Sequence, residues 1–214
     1  MKVKDVMTWN VVTIPSDTPI MEAKKIMQTH KVLRIPVVDK GKLVGIVTKE
    51  RIDRQGPSPA TSLSVWEINY LLAKMTVREV MQKDLVTVTP DTSVEYAVAL
   101  AQSKGVGALP VVDSGKLVGI VTTNDFFYKV LNPMLGIGKP GVVRLHVTKG
   151  ADPKNLTSVL DCIMKSGAKI DGVHTMPPFE GREKDLRVQV ETKDVKKLIS
   201  DLKAKGCAAE IVER

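Results

Sequence analysis

The chain has 214 residues, 43% apolar and 26% charged, a balance that supports a buried core and excludes wholesale disorder. No apolar run approaches the roughly 18–20 residues of a membrane span, MKVKDVMTWN lacks a signal peptide's apolar stretch, and Cys162 and Cys207 alone make neither a disulfide framework nor a metal site, so a reducing cytoplasm is expected. A net charge of +8 would suit an anionic partner, but Lys and Arg are scattered and aromatic residues are only 4%, so no nucleic-acid surface is expected.

Shifted by 74 residues, the chain lies on itself without a gap, residues 3–52 on 77–126, with 22 of 50 positions identical. VKDVM at 3–7 meets VREVM at 77–81, VTIPSDT at 12–18 meets VTVTPDT at 86–92, and IPVVD at 35–39 meets LPVVD at 109–113. Two copies are too few for a solenoid, so two similar modules packed as a pseudo-twofold pair are predicted. In each copy a β-branched stretch (11–14, 85–88) precedes Asp17-Thr18 or Asp91-Thr92, where helix-start chemistry is expected. The helix that follows has an apolar face at Ile20, Ala23, Ile26 and Met27, matched by Val94, Ala97, Leu100 and Ala101. Two apolar runs come next, 35–38 and 43–47 in the first copy and 109–112 and 117–121 in the second. They are separated by Asp39-Lys40-Gly41 or Asp113-Ser114-Gly115 and read as hairpins. Between the copies, 57–75 is expected to hold a helix with apolar contacts at Val65, Ile68, Leu71 and Leu72, and Trp66 and Tyr70 as packing residues.

The copies read alike through GKLVGIVT (41–48, 115–122) and then diverge, to KERID and to TNDFF. Thr122-Thr123-Asn124-Asp125 stands where a strand becomes a helix. One reading is a capping box, with Asp125 reaching back to the Thr122 amide. The other is a ligand site, in which the helix tip takes a phosphate, the hydroxyl donates to it, and the carboxylate accepts both hydroxyls of a ribose. The residues alone leave both readings open.

Residues 1 to about 132 resemble the CBS domain (named for cystathionine β-synthase), two of which form a Bateman module, and PSPATSLSVWEINYLLAKM at 57–75 is similar to the matching segment of AcuB-type acetoin-utilisation proteins. In that family a Gly-hydrophobic-x-Thr/Ser-x-x-Asp motif binds a nucleotide. The resemblance thus implies Asp125 on ribose, Thr122 toward the phosphate, Asn124 within the same nucleotide site and Gly119 as the motif glycine. Gly45 and Thr48 match in the first copy, but Arg51 replaces the Asp, Asp53 comes two positions late, and arginine has donors only. The resemblance further implies an adenine slot for the Asp125 site at Val86, Thr87, Gly107, Ala108, Leu109 and Pro110. Arg34, and with it His30, would reach across toward the phosphates. The implied ligand is AMP, ADP or ATP, with no catalytic cofactor.

The run 136–141, GIGKPG, reads as a linker. Beyond it, strands at 142–147, 170–175, 186–191 and 208–212 and helices near 153–166 and 194–205 make a βαββαβ, ferredoxin-like order. Pro153 suits a first helical turn, and Gly167 and Gly206 suit helix ends. Leu156, Val159, Leu160, Ile163 and Met164 form one helix stripe, and Cys162 is expected in the core. The segment from VTKGADP onward resembles an ACT domain, with Lys154-Asn155 in place of that family's usual Gly. The expected architecture is therefore α/β (α+β), with a first CBS module over 1–75, a second over 76–135, a linker at 136–141 and an ACT-like domain over 142–214. No Ser/His/Asp set, P-loop or GxGxxG follows a strand. A regulatory nucleotide-binding protein, dimeric and acting on a protein partner, is expected rather than an enzyme. The alternative is a structural or nucleic-acid-associated adaptor.

Overall fold

The computed structural model describes residues 1–55, 64–175 and 184–212. The first repeat gives β1 (Thr8–Trp9), α1 (Ile20–Thr29), β2 (Arg34–Asp39), β3 (Lys42–Thr48), α2 (Lys49–Asp53) and α3 (Val65–Lys74). The second gives α4 (Val77–Val80), α5 (Val94–Lys104), β4 (Ala108–Asp113), β5 (Lys116–Thr122) and α6 (Thr123–Asp125). From α6 the chain runs through a π turn, Phe126–Leu131, into α7 (Asn132–Met134). Packing divides the chain into two units, Met1–Phe127 and Tyr128–Arg214.

Both hairpins turn on two residues of positive φ, Lys40 and Gly41 (50° and 79°) and Ser114 and Gly115 (49° and 77°). This is the left-handed pair that matches the twist of the flanking strands. Ile20, Ala23 and Met27 of α1 close over Ile35, Val37 and Val47, and Val94, Ala97, Leu109, Val111 and Val121 are buried at the equivalent places. The helices begin later than Asp17-Thr18 and Asp91-Thr92 suggest. Pro19 precedes α1, and Ser93 caps α5 by accepting from the Tyr96 amide. Thr92 instead accepts from the Thr89 amide at 3.0 Å, closing the turn before the helix.

The repeats interlock by exchanging their N-terminal segments. Thr8 and Trp9 of the first copy pair with Ile120 and Gly119 of the second, while Gln82 of the second exchanges both backbone bonds with Ile46 of the first. Val3 N donates to Thr92 O (2.8 Å) and Lys4 N to Pro90 O (3.0 Å). Seventy-four residues on, Val77 N donates to Thr18 O and Arg78 N to Ser16 O, both at 2.8 Å. Glycine is required at the crossing. A Cβ on Gly119 would sit 2.7 Å from Met7 Sδ and 3.0 Å from Thr8 O, and one on Gly45 would sit 2.5 Å from Met81 Sδ and 3.1 Å from Gln82 O.

On α3, Ile68 is half-buried and Leu72 packs against the first repeat's core, but Leu71 is exposed. Residues 57–63 and the Val65 side chain lie outside the described residues. Trp66 and Tyr70, expected to pack, are 75% and 49% exposed. They stack on each other at 5.7 Å, with Lys74 over the Tyr70 ring, so their apolar faces are shielded locally rather than in a core.

In the second unit β6 (Val142–Val147), α8 (Pro153–Lys165), β7 (Lys169–Thr175), β8 (Leu186–Glu191), α9 (Val195–Ala204) and β9 (Ala209–Ile211) follow in βαββαβ order. The sheet runs β7-β8-β6-β9, with every neighbouring pair antiparallel. Val159, Cys162 and Ile163 of α8 and Leu198 and Leu202 of α9 cover Leu145, Val147, Leu186, Val188 and Val190. Met164, expected in the stripe, is 64% exposed, because it lies about 100° round the helix from buried Ile163. Asp152 caps α8 ahead of Pro153. Gly167 (φ 73°) and Gly206 (φ 81°) follow the ends of α8 and α9. Both cysteines are free and buried. On the other sheet face the Met134 carbonyl accepts from Gln189 Nε2 at 2.6 Å and bonds His174 Nε2 at 2.5 Å, and Lys139 pairs with Asp171 at 2.7 Å. The glycine-rich stretch 136–141 is therefore tied onto the sheet by the residues that flank and line it. Among the described residues no helix is long and apolar enough to cross a membrane.

Candidate functional site

Each strand–helix junction of the repeats is built the same way. β3 ends at Thr48, opposite Arg34, and β5 ends at Thr122, opposite Ala108. The hydroxyl then meets the next helical turn. Thr48 Oγ1 accepts from the Arg51 amide at 3.2 Å. In the second copy the carboxylate adds bonds of its own: Asp125 Oδ2 accepts from both the amide and the hydroxyl of Thr122, each at 2.8 Å. Asp125 is only 9% exposed. The bonds of the capping box are thus present, and they also fix the carboxylate at the junction.

The cleft at the first junction has a volume of about 290 Å³ and joins the two repeats. Arg34, Thr48, Arg51 and Arg54 come from one side, and Val86, Gly107, Ala108 and Pro110 from the other. The Arg34 guanidinium fills the space that Gly107 leaves, since a Cβ there would lie 2.6 Å from Nη2. An adjoining cleft of about 550 Å³ shares Arg34, Thr48, Glu50 and Arg54 and adds Asp53. Asp53 faces Lys24 (2.7 Å) and Lys49 (2.6 Å), and these hydrogen bonds, Lys24's foremost, hold its carboxyl below the usual range. Glu50 is paired with Arg54 at 2.5 Å.

The structure thus groups the residues singled out from the sequence in a crossed way. Val86, Gly107, Ala108 and Pro110 share a cleft with Thr48 and Arg34 of the first repeat, whereas Thr122, Asn124 and Asp125 do not line it. Within the second repeat Thr123 N donates to Gly107 O at 3.2 Å, so the backbone at 107 adjoins the Asp125 junction while its open side faces Arg34. By the 74-residue shift, Val12, Leu33, Arg34 and Pro36 are the first-repeat counterparts of Val86, Gly107, Ala108 and Pro110. The Leu109 side chain is wholly buried in the core, Thr87 is exposed outside the cleft, and His30 sits exposed at the end of α1. Sequence reasoning missed Arg54, Glu50, Gln82 and Asp84, which also line the cleft. The three-residue spacing from Arg51 was the available signal for Arg54, because it keeps both on one helix face. Among the described residues no group of His, Cys, Asp or Glu could hold a metal ion.

This geometry agrees with the comparisons with known proteins. The family model "CBS domain" matches residues 3–55 and 77–132. The inosine-5'-monophosphate dehydrogenase of Methanocaldococcus jannaschii is 28% identical over 99% of this chain, which spans only 40% of that protein's length. Among solved structures, a putative acetoin utilization protein (AcuB) from Vibrio cholerae is 29% identical with a TM-score of 0.52, covering 62% of this chain and 91% of that one. CBSX2 in complex with AMP is 28% identical with a TM-score of 0.52, covering 61% of this chain and 97% of that one. With two tandem modules matched over half its length, the chain belongs to the CBS domain family.

Proposed function

We propose that the repeat pair is a regulatory module that binds an adenine nucleotide, AMP, ADP or ATP, and performs no chemistry of its own. The observation that carries this reading is the Asp125 carboxylate, held at a strand–helix junction by the Thr122 amide and hydroxyl. In this reading the carboxylate accepts from a ribose diol and Thr122 stands toward the phosphate, with Asn124 beside them. The AMP complex of CBSX2, a structure of the same fold, supports an adenosine ligand. Binding would favour one arrangement of the modules only to the extent that the ligand prefers it.

The second unit's βαββαβ sheet supports an ACT-like role, as a pairing surface or a contact for a regulated protein. In this reading the chain works as a cytoplasmic homodimer, and the likeness to AcuB supports a connection to acetoin utilisation. Sedimentation at micromolar concentration tests the dimer, and a monomer near 23.4 kDa contradicts it.

The decisive experiment is calorimetry with AMP. Measurable binding is expected, weakened about 100-fold or more by Asp125→Ala, a loss of about 2.7 kcal/mol, and far less by Arg51→Ala. No heat with any adenosine compound, or an unchanged affinity in Asp125→Ala, overturns the assignment.

A further inference from the structure

In the second unit Leu145, Val147, Leu186, Val188 and Val190 face the helices, so the residues between them, Arg144, His146, Arg187 and Gln189, face the open side of the sheet. There Arg144 stands opposite Gln189, and Arg187 lies between His146 on β6 and His174 on β7. The two arginines are thus diagonal neighbours on adjacent strands, roughly 7–8 Å apart at the backbone and within reach of one small molecule. We infer that Arg144 and Arg187 form a site for a doubly charged oxyanion, a phosphate monoester or a short dicarboxylate, on the open face of this sheet. The site is independent of the nucleotide reading of the repeat pair.

The observation that carries it is a set of donors without acceptors. Both arginines are half-buried, and Arg187 Nε is buried with no hydrogen-bond partner. Every neighbour that the register gives them is engaged elsewhere. His146 spends both ring nitrogens, Nε2 on Asp185 (2.9 Å) and Nδ1 on Glu210 (3.1 Å). His174 turns Nε2 to the Met134 carbonyl. Gln189 is 3% exposed. Its Nε2 donates to that same carbonyl at 2.6 Å, and its Oε1, without any partner, does not serve Arg144. The acids of this face are likewise taken: Asp185 and Glu210 by His146, and Asp171 by Lys139 at 2.7 Å. Glu191, diagonal to Arg144 on the far side, is exposed. Among the described residues no carboxylate lies in ion-pair contact with either guanidinium.

Two half-buried like charges side by side repel each other, and a buried donor without an acceptor opposes folding. An oxyanion between them relieves both. Each guanidinium presents a planar fork that matches two oxygens of a carboxylate or phosphate, and such bonds are the strong, charge-assisted kind. Two forks converging from neighbouring strands match two negative charges, which selects a dianion over acetate or chloride. The strand positions are fixed by the ladders on both sides, so little backbone order has to be created on binding.

The test titrates inorganic phosphate and, separately, succinate into the nitrogen-15-labelled full chain and follows the arginine Nε–H signals by NMR. The Arg144 and Arg187 signals are expected to move together and to saturate. Movement with phosphate alone identifies a phosphate monoester site, and movement with succinate alone a dicarboxylate site. Arg187→Lys keeps the charge but loses the fork, and is expected to weaken binding about tenfold or more. Arg144→Ala with Arg187→Ala is expected to abolish it. Still signals with both anions, shifts confined to residues 1–127, or equal affinity in either variant overturns the site. The wild-type titration needs no substitution, so it decides the matter even where the double variant does not fold. AMP calorimetry reads the repeat pair separately, so either assignment can fail while the other stands.

Discussion

The segments Thr48–Arg51 and Thr122–Asp125 occupy the same place in two copies of one fold, yet they differ in what the third residue after the threonine adds. In the first, a hydroxyl accepts from the Arg51 amide and the guanidinium is left facing a cleft. In the second, a carboxylate accepts from the Thr122 amide and hydroxyl. The glycine, the β-strand and the crossing N-terminal segment behind each junction are the same. The fold therefore supplies a common platform, and the side chain three residues after the threonine puts a guanidinium on one copy and a carboxylate on the other. On the proposed reading, that difference would make the two junctions unlike as ligand sites.

Four results would break or sharpen this comparison. The largest concerns ligands. Arg51→Asp is expected to convert the first junction toward its sister, adding a second AMP site within about tenfold of the first in affinity, roughly 1.4 kcal/mol. Calorimetry reads the number of sites, and no second site would show that the residue at this position does not set the ligand. Next is the interlock. Gly119→Ala and Gly45→Ala should each destabilise the first unit by about 1–3 kcal/mol, because the new methyl meets a backbone carbonyl as well as a methionine. Denaturant melts with similar losses in both would confirm that the crossings are equivalent, and a loss in only one would break the pseudo-twofold account.

The caps give a smaller effect. Thr48→Ala and Thr122→Ala should cost about 1 kcal/mol of stability, the second more because it strips a donor from a nearly buried carboxylate, and equal melts would contradict that added carboxylate bond. The smallest separates the two units. His146 lies between Glu210 (3.1 Å) and Asp185 (2.9 Å), and these bonds, Glu210's foremost, raise its pKa above the ordinary value of 6.5. The stabilisation is complete below that value and is lost as pH rises through the higher folded-state pKa. Melts of the second unit should weaken by about 1 kcal/mol or less across neutral to mildly alkaline pH, and His146→Gln should flatten the profile. An unchanged slope in that variant would remove His146 from the account.

Much of this molecule was legible as text. The 74-residue repeat exposed the module pair, Asp-Lys-Gly and Asp-Ser-Gly between apolar runs fixed the hairpins, and strands 142–147 and 186–191 stand where alternation put them. What stayed hidden is what backbone atoms do at a distance. The exchange of Thr8–Trp9 and Gln82 between copies is carried by main-chain hydrogen bonds, which leave no mark on residue type. That exchange also crosses the clefts, so Gly107 faces Arg34 rather than opening on Asp125. Trp66 misled for a related reason: large aromatic residues usually mark burial, but stacking on Tyr70 satisfies them on a helix surface.

The most direct test is a structure of the full chain determined with ADP at saturating concentration. The account predicts ribose hydroxyls within hydrogen-bonding distance of Asp125 at the second junction, and no ribose at Arg51 of the first. Density absent from both junctions, or a ligand posed identically in the two with its sugar at Arg51, would contradict it.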